Sequence, residues 1–542
     1  MRRSIIILTI VPAVGAGLFW VTSGDDGPKP AAERFLDAWQ RKDYASMRAL
    51  TDGAPADLEI RAGWDGLGVT AQSFRLQGVG KNEDAVAAYR ADLTLGENRT
   101  WSYDGTFGFV RRDGKWLVRW TPAVLFPGLA EGQKIVASRA FPDRAKITGA
   151  DGSSLTGSPS GSVQQLVGPV GAATDKAAAE LGAPYRKGDP VGLDGLQRQY
   201  QKRLAGTPAV AVGIVDAEGN RVKTLKTFGG GAGRPLKTTI DPKIQKAAGE
   251  AVTPVTKNAS MVVVRPSTGE ILAVVNKPGG YNRALMGRYP PGSTFKVVTA
   301  AALVAGGRDA RSPVGCPATT TIGGRTFKNA GHEAFGTVPL RDAFAHSCNT
   351  TFADLAVRDL GQKRLGQVAT QFGFNAPIIA GLPAVRAAFP DTKDDTALAA
   401  ASFGQGEVLT SPLNMASVAA AAADGTWRSP RLVSAADAAL ALDAGGRKPE
   451  PPHALDPAVR RALHVLMPAV VTEGTAHAVT FPAGTAGKTG TAEFGSGEEP
   501  PTHAWFIGYR GDLAFSVIVE DGGTGAEAAA PVAARFLSAL SG

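Results

Sequence analysis

The hydrophobic positions of this 542-residue chain begin with an uninterrupted apolar run, from Ile5 to about Thr22, preceded by Arg2 and Arg3. A run of about 18 residues is at the short limit of a membrane span, and the arginines before it put its start in the cytoplasm. We therefore expect residues 1–24 to be a membrane anchor, with the rest of the chain outside the cytoplasm. A secretory peptide that is cleaved after export is the alternative, because small residues follow the run.

After this segment the apolar positions follow a helical and then a strand periodicity. A helical pattern from about Pro30 is followed by strand-like segments at residues 74–79, 86–95 and 100–110. The turn-like sequence from Arg111 to Lys115 predicts a hairpin. These elements predict a small α+β domain over residues 25–132, and since it has no cluster of catalytic residue types we interpret it as a spacer or interaction module.

The pattern is weaker over residues 133–235, which contain a glycine run at Gly229–Gly233 that we expect to be a linker. Residues 236–542 then alternate helical and strand patterns. Examples are a helix at 242–251 and a strand at 261–264 that continues at 271–275. Most residues with chemical function occur in this last region.

Length and composition narrow the class of protein. A chain of 542 residues is too long for one hydrophobic core, and its 44% hydrophobic and 20% charged residues are typical of a globular, multidomain protein. The net charge of +9 comes from scattered basic residues, without the stripe typical of nucleic-acid binding. The six histidines show no metal-ligand spacing. We therefore expect no nucleic acid, no metal and no cofactor.

A candidate nucleophile, Ser293, follows a loop-forming Pro-Pro-Gly sequence and precedes an apolar segment that predicts a buried helix. At a helix start, backbone N–H groups stabilise negative charge on a reacting oxygen. Lys296 follows one turn later on the same face. A serine hydroxyl is a weak nucleophile without an adjacent base, and a lysine whose charge is disfavoured by burial can be that base. Taken alone, this spacing is also common on solvated helix faces.

A second motif follows a helix-like segment and consists of Ser347 and Asn349. The serine offers a hydroxyl for proton relay, and the asparagine offers an amide that can hold a substrate carbonyl. By itself this motif is weak.

A third motif, Lys488-Thr489-Gly490-Thr491, reads as a strand because β-forming residues come after it. In such a strand Gly490 lets a ligand backbone approach closely, and the N–H of Thr491 can face an oxyanion. Lys488 with the hydroxyls of Thr489 and Thr491 can hold a carboxylate. A phosphate-binding loop is excluded on spacing, since that motif needs a glycine where this chain has Pro482.

Together, Ser-x-x-Lys, Ser-x-Asn and Lys-Thr-Gly in this order form the signature of β-lactamases and penicillin-binding proteins. The chain resembles the class B penicillin-binding proteins closely, since further blocks look like their transpeptidase domain: Arg265–Glu270, Phe403–Gly406 with Thr410–Pro412, Glu473–Ala476 and Ala504–Tyr509. The resemblance implies that Ser293 is the acylated nucleophile and Lys296 its base. It also implies an oxyanion hole formed by the N–H groups of Ser293 and Thr491.

Upstream, residues 32–129 are similar to the small domain of the low-affinity, methicillin-resistance type of penicillin-binding protein. The implied fold is multidomain α+β: an NTF2-like domain at 25–132, a dimerisation-type pedestal at 133–235, and an α/β transpeptidase domain at 236–542 with an antiparallel sheet flanked by helices. One departure is Arg144–Ala150, where the family usually has Arg-Gly-x-Ile-x-Asp-Arg. This departure puts the pedestal's usual internal ion pair in doubt.

The resemblance implies a membrane-anchored, serine-type peptidoglycan D,D-transpeptidase that crosslinks stem peptides and is acylated by β-lactams. Cell-wall synthesis or division proteins are candidate partners. One alternative is a D,D-carboxypeptidase or β-lactamase-like hydrolase, which the upstream domains and anchor disfavour. Another is a non-catalytic sensor of β-lactams or wall peptides, or a division scaffold, which the complete motif set disfavours.

Cys316 and Cys348 are the only cysteines, so none follows the apolar run to carry a lipid. Outside the cytoplasm they can form a disulfide, but two buried free thiols are the alternative. A disulfide requires that the two Cα atoms lie within roughly 7 Å of each other.

Overall fold

The structure is a computed structural model that describes residues 27–63, 67–81, 84–495 and 500–541. The predicted anchor at residues 1–24 lies outside the described residues. Among the residues that are described, no helix is both long and apolar enough to cross a membrane. The described chain forms two compact units, one ending at Ala140 but including Pro208–Gly230, and the other comprising Phe141–Thr207 and the chain from Gly231 onward.

The first unit combines helices with two sheets. Its helices are Pro28–Gln40, Tyr44–Ala49 and Leu58–Ala62. The larger sheet has the strand order Thr51–Asp52, Lys115–Arg119, Arg99–Arg112, Val86–Leu95 and Val69–Val79. The smaller sheet has the order Arg221–Phe228, Ala209–Val215 and Lys134–Ala140. Helices followed by antiparallel strands confirm the α+β character predicted for this part of the chain.

The first helix begins with proline, whose fixed φ suits a helix start, and it buries one apolar face. Phe35 and Trp39 lie one turn apart on that face and are fully buried. The ring of Trp39 stacks on Phe74 of the sheet, with centroids 4.1 Å apart, and its indole N–H donates to the carbonyl of Ala62 at 3.1 Å. The helix is thereby fixed to the sheet by packing and to the helix Leu58–Ala62 by a hydrogen bond.

The predicted hairpin after residue 110 is confirmed. Arg112 pairs with Lys115, and the two residues between them, Asp113 and Gly114, have φ values of 51° and 77°. Positive φ at both central positions matches the twist of the flanking strands, and Asp-Gly is the dipeptide that tolerates it best.

The second unit begins with short elements upstream of the catalytic region. They are the strands Ile147–Thr148, Val170–Ala172, Pro190–Gly192 and Leu236–Lys237 and the helices Gly161–Val167, Asp175–Leu181, Gly195–Gln199 and Gln201–Ala205. Arg144, in the segment that departs from the family pattern, donates to the carbonyl of Gln197 at 3.0 Å and to the side chain of Gln201 at 2.7 Å. Amide oxygens therefore hold this guanidinium.

The glycine run at Gly229–Gly233 is not a free linker, which corrects the expectation from sequence. Gly231 pairs its backbone with Thr207 in both directions, at 2.9 and 3.1 Å. A side chain at Gly233 would lie 2.1 Å from the carbonyl of Leu204. Close approach to a neighbouring backbone therefore requires glycine at Gly233, whereas a side chain at Gly229 would meet nothing within 4 Å. The junction between the two units also falls within this run.

The rest of the second unit is built on an antiparallel sheet, which has five strands among the described residues. The strands are β1 (Ala259–Val264), β2 (Ile271–Lys277), β3 (Ala486–Glu493), β4 (Thr502–Arg510) and β5 (Leu513–Val519), in the order β2-β1-β5-β4-β3. The longer helices around it are α1 (Pro242–Val252), α2 (Lys296–Ala305), α3 (Leu340–Ala345), α4 (Asn349–Leu355), α5 (Gly361–Gln371), α6 (Asp395–Ser402), α7 (Pro412–Asp424), α8 (Pro457–Thr472) and α9 (Ala530–Ser541).

Consecutive residues of β1, β4 and β5 are buried, as expected where helices cover both faces of a sheet. The predicted continuation from residue 264 to residue 271 is wrong in one respect, because β1 and β2 are two antiparallel strands that pair Val264 with Ile271. Strand β3 is at the edge of the sheet, so one of its sides is free to line a cleft.

Cys316 ends a short strand, Pro313–Cys316, and is bonded to Cys348, with the two Cα atoms 6.0 Å apart. Both cysteines are buried. The disulfide is confirmed and the alternative of two free thiols is excluded. It ties the loop between α3 and α4 to the strand that precedes it in the chain.

Removal of this disulfide should destabilise the protein by releasing a loop with a sequence separation of 32 residues. The chain-entropy model gives such a loop about 3.7 kcal/mol. We expect Cys316→Ala/Cys348→Ala to lower the unfolding free energy by that amount in a denaturant titration. A reductant should lower the melting temperature of the wild type and leave that of the double variant unchanged. Equal stability of the oxidised wild type and the variant would contradict the expectation.

Candidate active site

Ser293 lies in a tight 3-10 turn, Gly292–Phe295, and α2 begins only at Lys296. Ser293 was expected at the start of a helix, and it lies in the turn immediately before that helix. Gly292 has a φ of 54°, and a side chain there would lie 2.6 Å from the carbonyl of Thr491 on β3. Its N–H donates to the carbonyl of Gly404 at 2.9 Å. The turn is thus held between the edge strand and a neighbouring loop, with Ser293 partly exposed.

The amine of Lys296 is fully buried and lies at the centre of the site. Its Nζ is 3.1 Å from Oγ of Ser293, 3.0 Å from Oγ and 2.6 Å from the carbonyl of Ser347, and 2.7 Å from Oδ1 of Asn349. All four of these partners are neutral. Burial, together with the nearby charge of Lys488, holds the pKa of Lys296 well below its usual range. A lysine whose neutral form is favoured by burial and whose amine contacts a serine hydroxyl can act as a general base.

Ser347 has a φ of 61°, in the left-handed region that few residues other than glycine adopt. This conformation turns both its carbonyl and its hydroxyl toward Lys296. The next residue, Cys348, is fixed by the disulfide. The unfavourable backbone conformation thus occurs at the residue whose carbonyl and hydroxyl oxygens contact the amine of Lys296. Such conformations are common at functional sites.

Asn349 begins α4 and is bonded at both ends of its amide. Oδ1 accepts from Lys296, and Nδ2 donates to the carbonyl of Lys328 at 2.9 Å. The expected substrate-carbonyl contact therefore has to use the second N–H of the amide nitrogen, because the first is engaged by the protein.

Lys488, which we expect to help hold a substrate carboxylate, is fully buried. Its Nζ donates to the carbonyl of Thr489 at 3.1 Å and lies 5.7 Å from the ring centre of Phe344. Burial lowers the pKa of Lys488 to about 7. Lys488 is therefore a buried amine beneath β3 whose charged form is disfavoured by burial.

Thr489 and Thr491 occupy alternate positions on β3, whereas Gly490 lies on the other face. Thr491 is exposed, and its Oγ accepts from the N–H of Gly525 at 3.4 Å. A side chain at Gly490 would meet Thr294 at 2.8 Å, within the turn that carries Ser293. Close packing of two protein segments therefore requires glycine here, whether or not a ligand also approaches.

The structure brings all three motifs together, although up to 195 residues separate them (488 minus 293). Sequence reasoning missed the aromatic rings around the base. Phe352 and Phe403 lie 5.6 and 6.0 Å from the Nζ of Lys296. Ring faces favour a cation and so oppose the effect of burial. Phe403 begins one of the blocks that resemble the family, although nothing there pointed to contact with Lys296, and no sequence signal distinguished Phe352 from an ordinary core residue.

Comparison with known proteins identifies the family. Residues 259–538 match the penicillin-binding protein transpeptidase domain, residues 27–133 an NTF2-like N-terminal transpeptidase domain, and residues 153–238 a penicillin-binding protein dimerisation domain. Since the first match covers more than half of the chain, the chain belongs to the penicillin-binding protein transpeptidase family. The predicted class and the multidomain fold are confirmed.

Named relatives and solved structures agree with this assignment. The chain is 33% identical over 370 residues to the peptidoglycan D,D-transpeptidase PbpA of Mycolicibacterium smegmatis, covering 59% of this chain and 75% of that protein. It is 27% identical to MrdA of Acinetobacter baumannii, over 68% of this chain and 63% of the relative.

Pseudomonas aeruginosa PBP2, solved in complex with WCK 5153, superposes with a TM-score of 0.60 at 25% identity, over 74% of this chain and 96% of that structure. Helicobacter pylori PBP2, solved in complex with MreC, superposes with a TM-score of 0.62 at 17% identity, over 75% and 98% of the two chains.

The buried charge of Lys488 should cost stability in a pH-dependent way. Its pKa falls from 10.5 to about 7 on folding, so the folded protein binds fewer protons than the unfolded chain between these values. Stability of the wild type should therefore rise as the pH rises from about 7 to about 10.5. We expect Lys488→Met to be more stable than the wild type at pH 7, by on the order of 4 kcal/mol.

Urea titrations of both proteins from pH 6 to pH 10 test this. The difference should narrow toward pH 10, because the pH then approaches 10.5, above which the lysine is neutral in both states. A difference that does not change with pH, or a variant that is less stable at pH 7, would refute the assignment of a destabilising buried charge.

Proposed function

We propose that this chain is a serine-type peptidoglycan D,D-transpeptidase in which Ser293 is the nucleophile and Lys296 its base. The observation that carries the proposal is the buried, neutral environment of the Lys296 amine, which contacts the hydroxyls of Ser293 and Ser347 together. Membership of the transpeptidase family and the D,D-transpeptidase relatives support the same reaction.

In the acylation step, Oγ of Ser293 attacks the carbonyl carbon of the penultimate D-alanine of a stem peptide. Its proton passes to Nζ of Lys296, which can accept it because burial favours the unprotonated amine before the reaction. The C–N bond then breaks, and the leaving D-alanine amine takes a proton. Ser347 supplies that proton and regains one from Lys296, since its hydroxyl is 3.0 Å from Nζ. The product is an ester of Ser293 and free D-alanine.

The oxyanion formed during this attack is stabilised by the N–H groups of Ser293 and Thr491. The turn and β3 are close enough for this, because the Cβ position of Gly292 lies 2.6 Å from the carbonyl of Thr491. The terminal carboxylate of the donor accepts hydrogen bonds from Thr489 and Thr491, and Lys488 adds a positive charge behind them. Asn349 orients the donor amide through its free N–H.

In the second step an amine of a neighbouring strand attacks the ester carbonyl and loses a proton to Lys296. The ester C–O bond then breaks, and Lys296 returns the proton to Oγ of Ser293. The result is one new amide bond for the one that was broken. A β-lactam follows the same first step, but its leaving nitrogen stays attached to the acyl group and blocks the amine.

The chain organisation in this proposal is a membrane anchor at 1–24, an NTF2-like domain at 25–132, a pedestal at 133–235 and the transpeptidase domain at 236–542. The catalytic domain then works outside the cytoplasmic membrane. A cell-wall synthesis protein is the partner class we propose, and the complex of Helicobacter pylori PBP2 with MreC supports it.

The first test is covalent labelling. Incubation with benzylpenicillin should add one acyl group to the intact mass, and peptide mapping should find it on Ser293. Ser293→Ala should show no adduct while melting at the temperature of the wild type. An adduct on another residue, or one that persists in Ser293→Ala, would refute the nucleophile.

A second test separates transfer from hydrolysis. With a D-Ala-D-Ala donor and an added primary amine, the aminolysis product should exceed the hydrolysis product and rise with amine concentration. Hydrolysis that is unaffected by the amine would favour a carboxypeptidase. Failure to turn over any donor, with labelling intact, would favour a sensor.

A further inference from the structure

A turn outside the three motifs contacts two elements of the site, helix α3 and strand β3. It follows α8 and comprises residues Glu473–Ala476. Gly474 lies against the end of α3, since a side chain there would be 2.2 Å from the carbonyl of Ala345. The N–H of Thr475 donates to that same carbonyl at 3.1 Å, and Glu473 forms an ion pair with Arg341 of α3. The turn is therefore fixed to the helix that leads to Ser347.

The side chain of Thr475 contacts strand β3. Its Oγ is 2.6 Å from Oγ of Thr489 on β3, and this contact is partly buried. Thr489 is only 6% exposed, so its hydroxyl has little contact with water. Each hydroxyl has one proton to donate. If Thr489 donates to Thr475, it has no proton for a ligand, whereas if Thr475 donates to Thr489, the proton of Thr489 is free.

We propose that Thr475 is a positioning residue that donates to Thr489 and so directs the Thr489 hydroxyl proton toward a ligand carboxylate. This inference rests on the proposed function, in which Thr489 binds the donor's terminal carboxylate. The resulting chain runs from Thr475 to Thr489 to the carboxylate, and each bond polarises the next. Thr475 thereby sets a preference for ligands that end in a free carboxylate over their esters and amides.

The preference follows from charge. A hydrogen bond to a carboxylate is roughly twice as strong as one to a neutral acceptor. An ester carbonyl can also accept a hydrogen bond from Thr489. Because the carbonyl is neutral, that hydrogen bond is weaker, and orienting the Thr489 hydroxyl stabilises the ester complex less. Loss of the Thr475 hydroxyl should therefore weaken acylation by an acid more than acylation by the matching ester.

The experiment compares acylation rate constants for benzylpenicillin and its methyl ester. Thr475→Ala should lower the rate constant for the acid about tenfold and that for the ester less than about twofold, since a hydrogen bond to a charged group contributes more than a neutral one. Thr475→Ser keeps the hydroxyl and should stay within about threefold of the wild type on the acid. Thr472→Val is the matched control, because its exposed hydroxyl bonds only to Pro468 in the same helix; both rate constants should equal those of the wild type.

A double-variant cycle tests whether Thr475 acts through Thr489. Thr475→Ala added to Thr489→Ala should cause no further loss on the acid, because the group it positions is already absent. Equal losses on acid and ester in Thr475→Ala, no loss on either, or additive losses in the cycle would each overturn the inference. These results are distinguishable from failure of the proposed function, which would leave the adduct in place in Ser293→Ala.

Discussion

The amine of Lys296 is out of contact with water, and the hydrogen-bond partners described for it are hydroxyl, carbonyl and amide oxygens. An ammonium ion in such surroundings loses its hydration and gains no counter-ion, so the neutral amine is favoured. The same four contacts bring Ser293, Ser347 and Asn349 to one point. Burial thus makes the lysine a base and assembles the site, and it is achieved only when several segments close around one atom.

Close approach of those segments depends on positions without a side chain. Gly292 and Gly490 let the turn that carries Ser293 pack against β3, and Gly404 lets a loop pack against the same turn. A Cβ at any of the three would lie 2.2 to 2.8 Å from a neighbouring atom. These glycines act in packing, since they remove volume where two backbones or a backbone and a side chain must meet.

The loop with Ser347 shows how an unfavourable local conformation is maintained. A serine in the left-handed region costs roughly 1 kcal/mol or more relative to an extended one. The disulfide at Cys348 and the bond from Asn349 to Lys328 fix the backbone on its C-terminal side. The N–H of Ser347 donates to the carbonyl of Phe344 at 3.1 Å on the other side. Surrounding contacts thus offset the local cost and keep two oxygens on Lys296.

The sequence by itself determined the three motifs, the family, the hairpin after residue 110 and the amphipathic first helix. These are local properties: a helix repeats every 3.6 residues, a strand every two, and the Ser-x-x-Lys spacing sets both side chains one turn apart. The order of the three motifs along the chain matches the family signature, so the sequence alone predicts Ser293 as nucleophile and Lys296 as base.

The tertiary structure decided what depends on contacts between distant segments. It assigned Gly490 to packing against Thr294, buried Lys488 beneath the strand, and joined Thr475 to Thr489. It also decided between a disulfide and two thiols. No periodicity or composition encodes these outcomes, because burial and hydrogen-bond partners depend on which surfaces meet after folding. The sequence therefore fixes which groups are present, and the fold decides which of them lose water and what each then contacts.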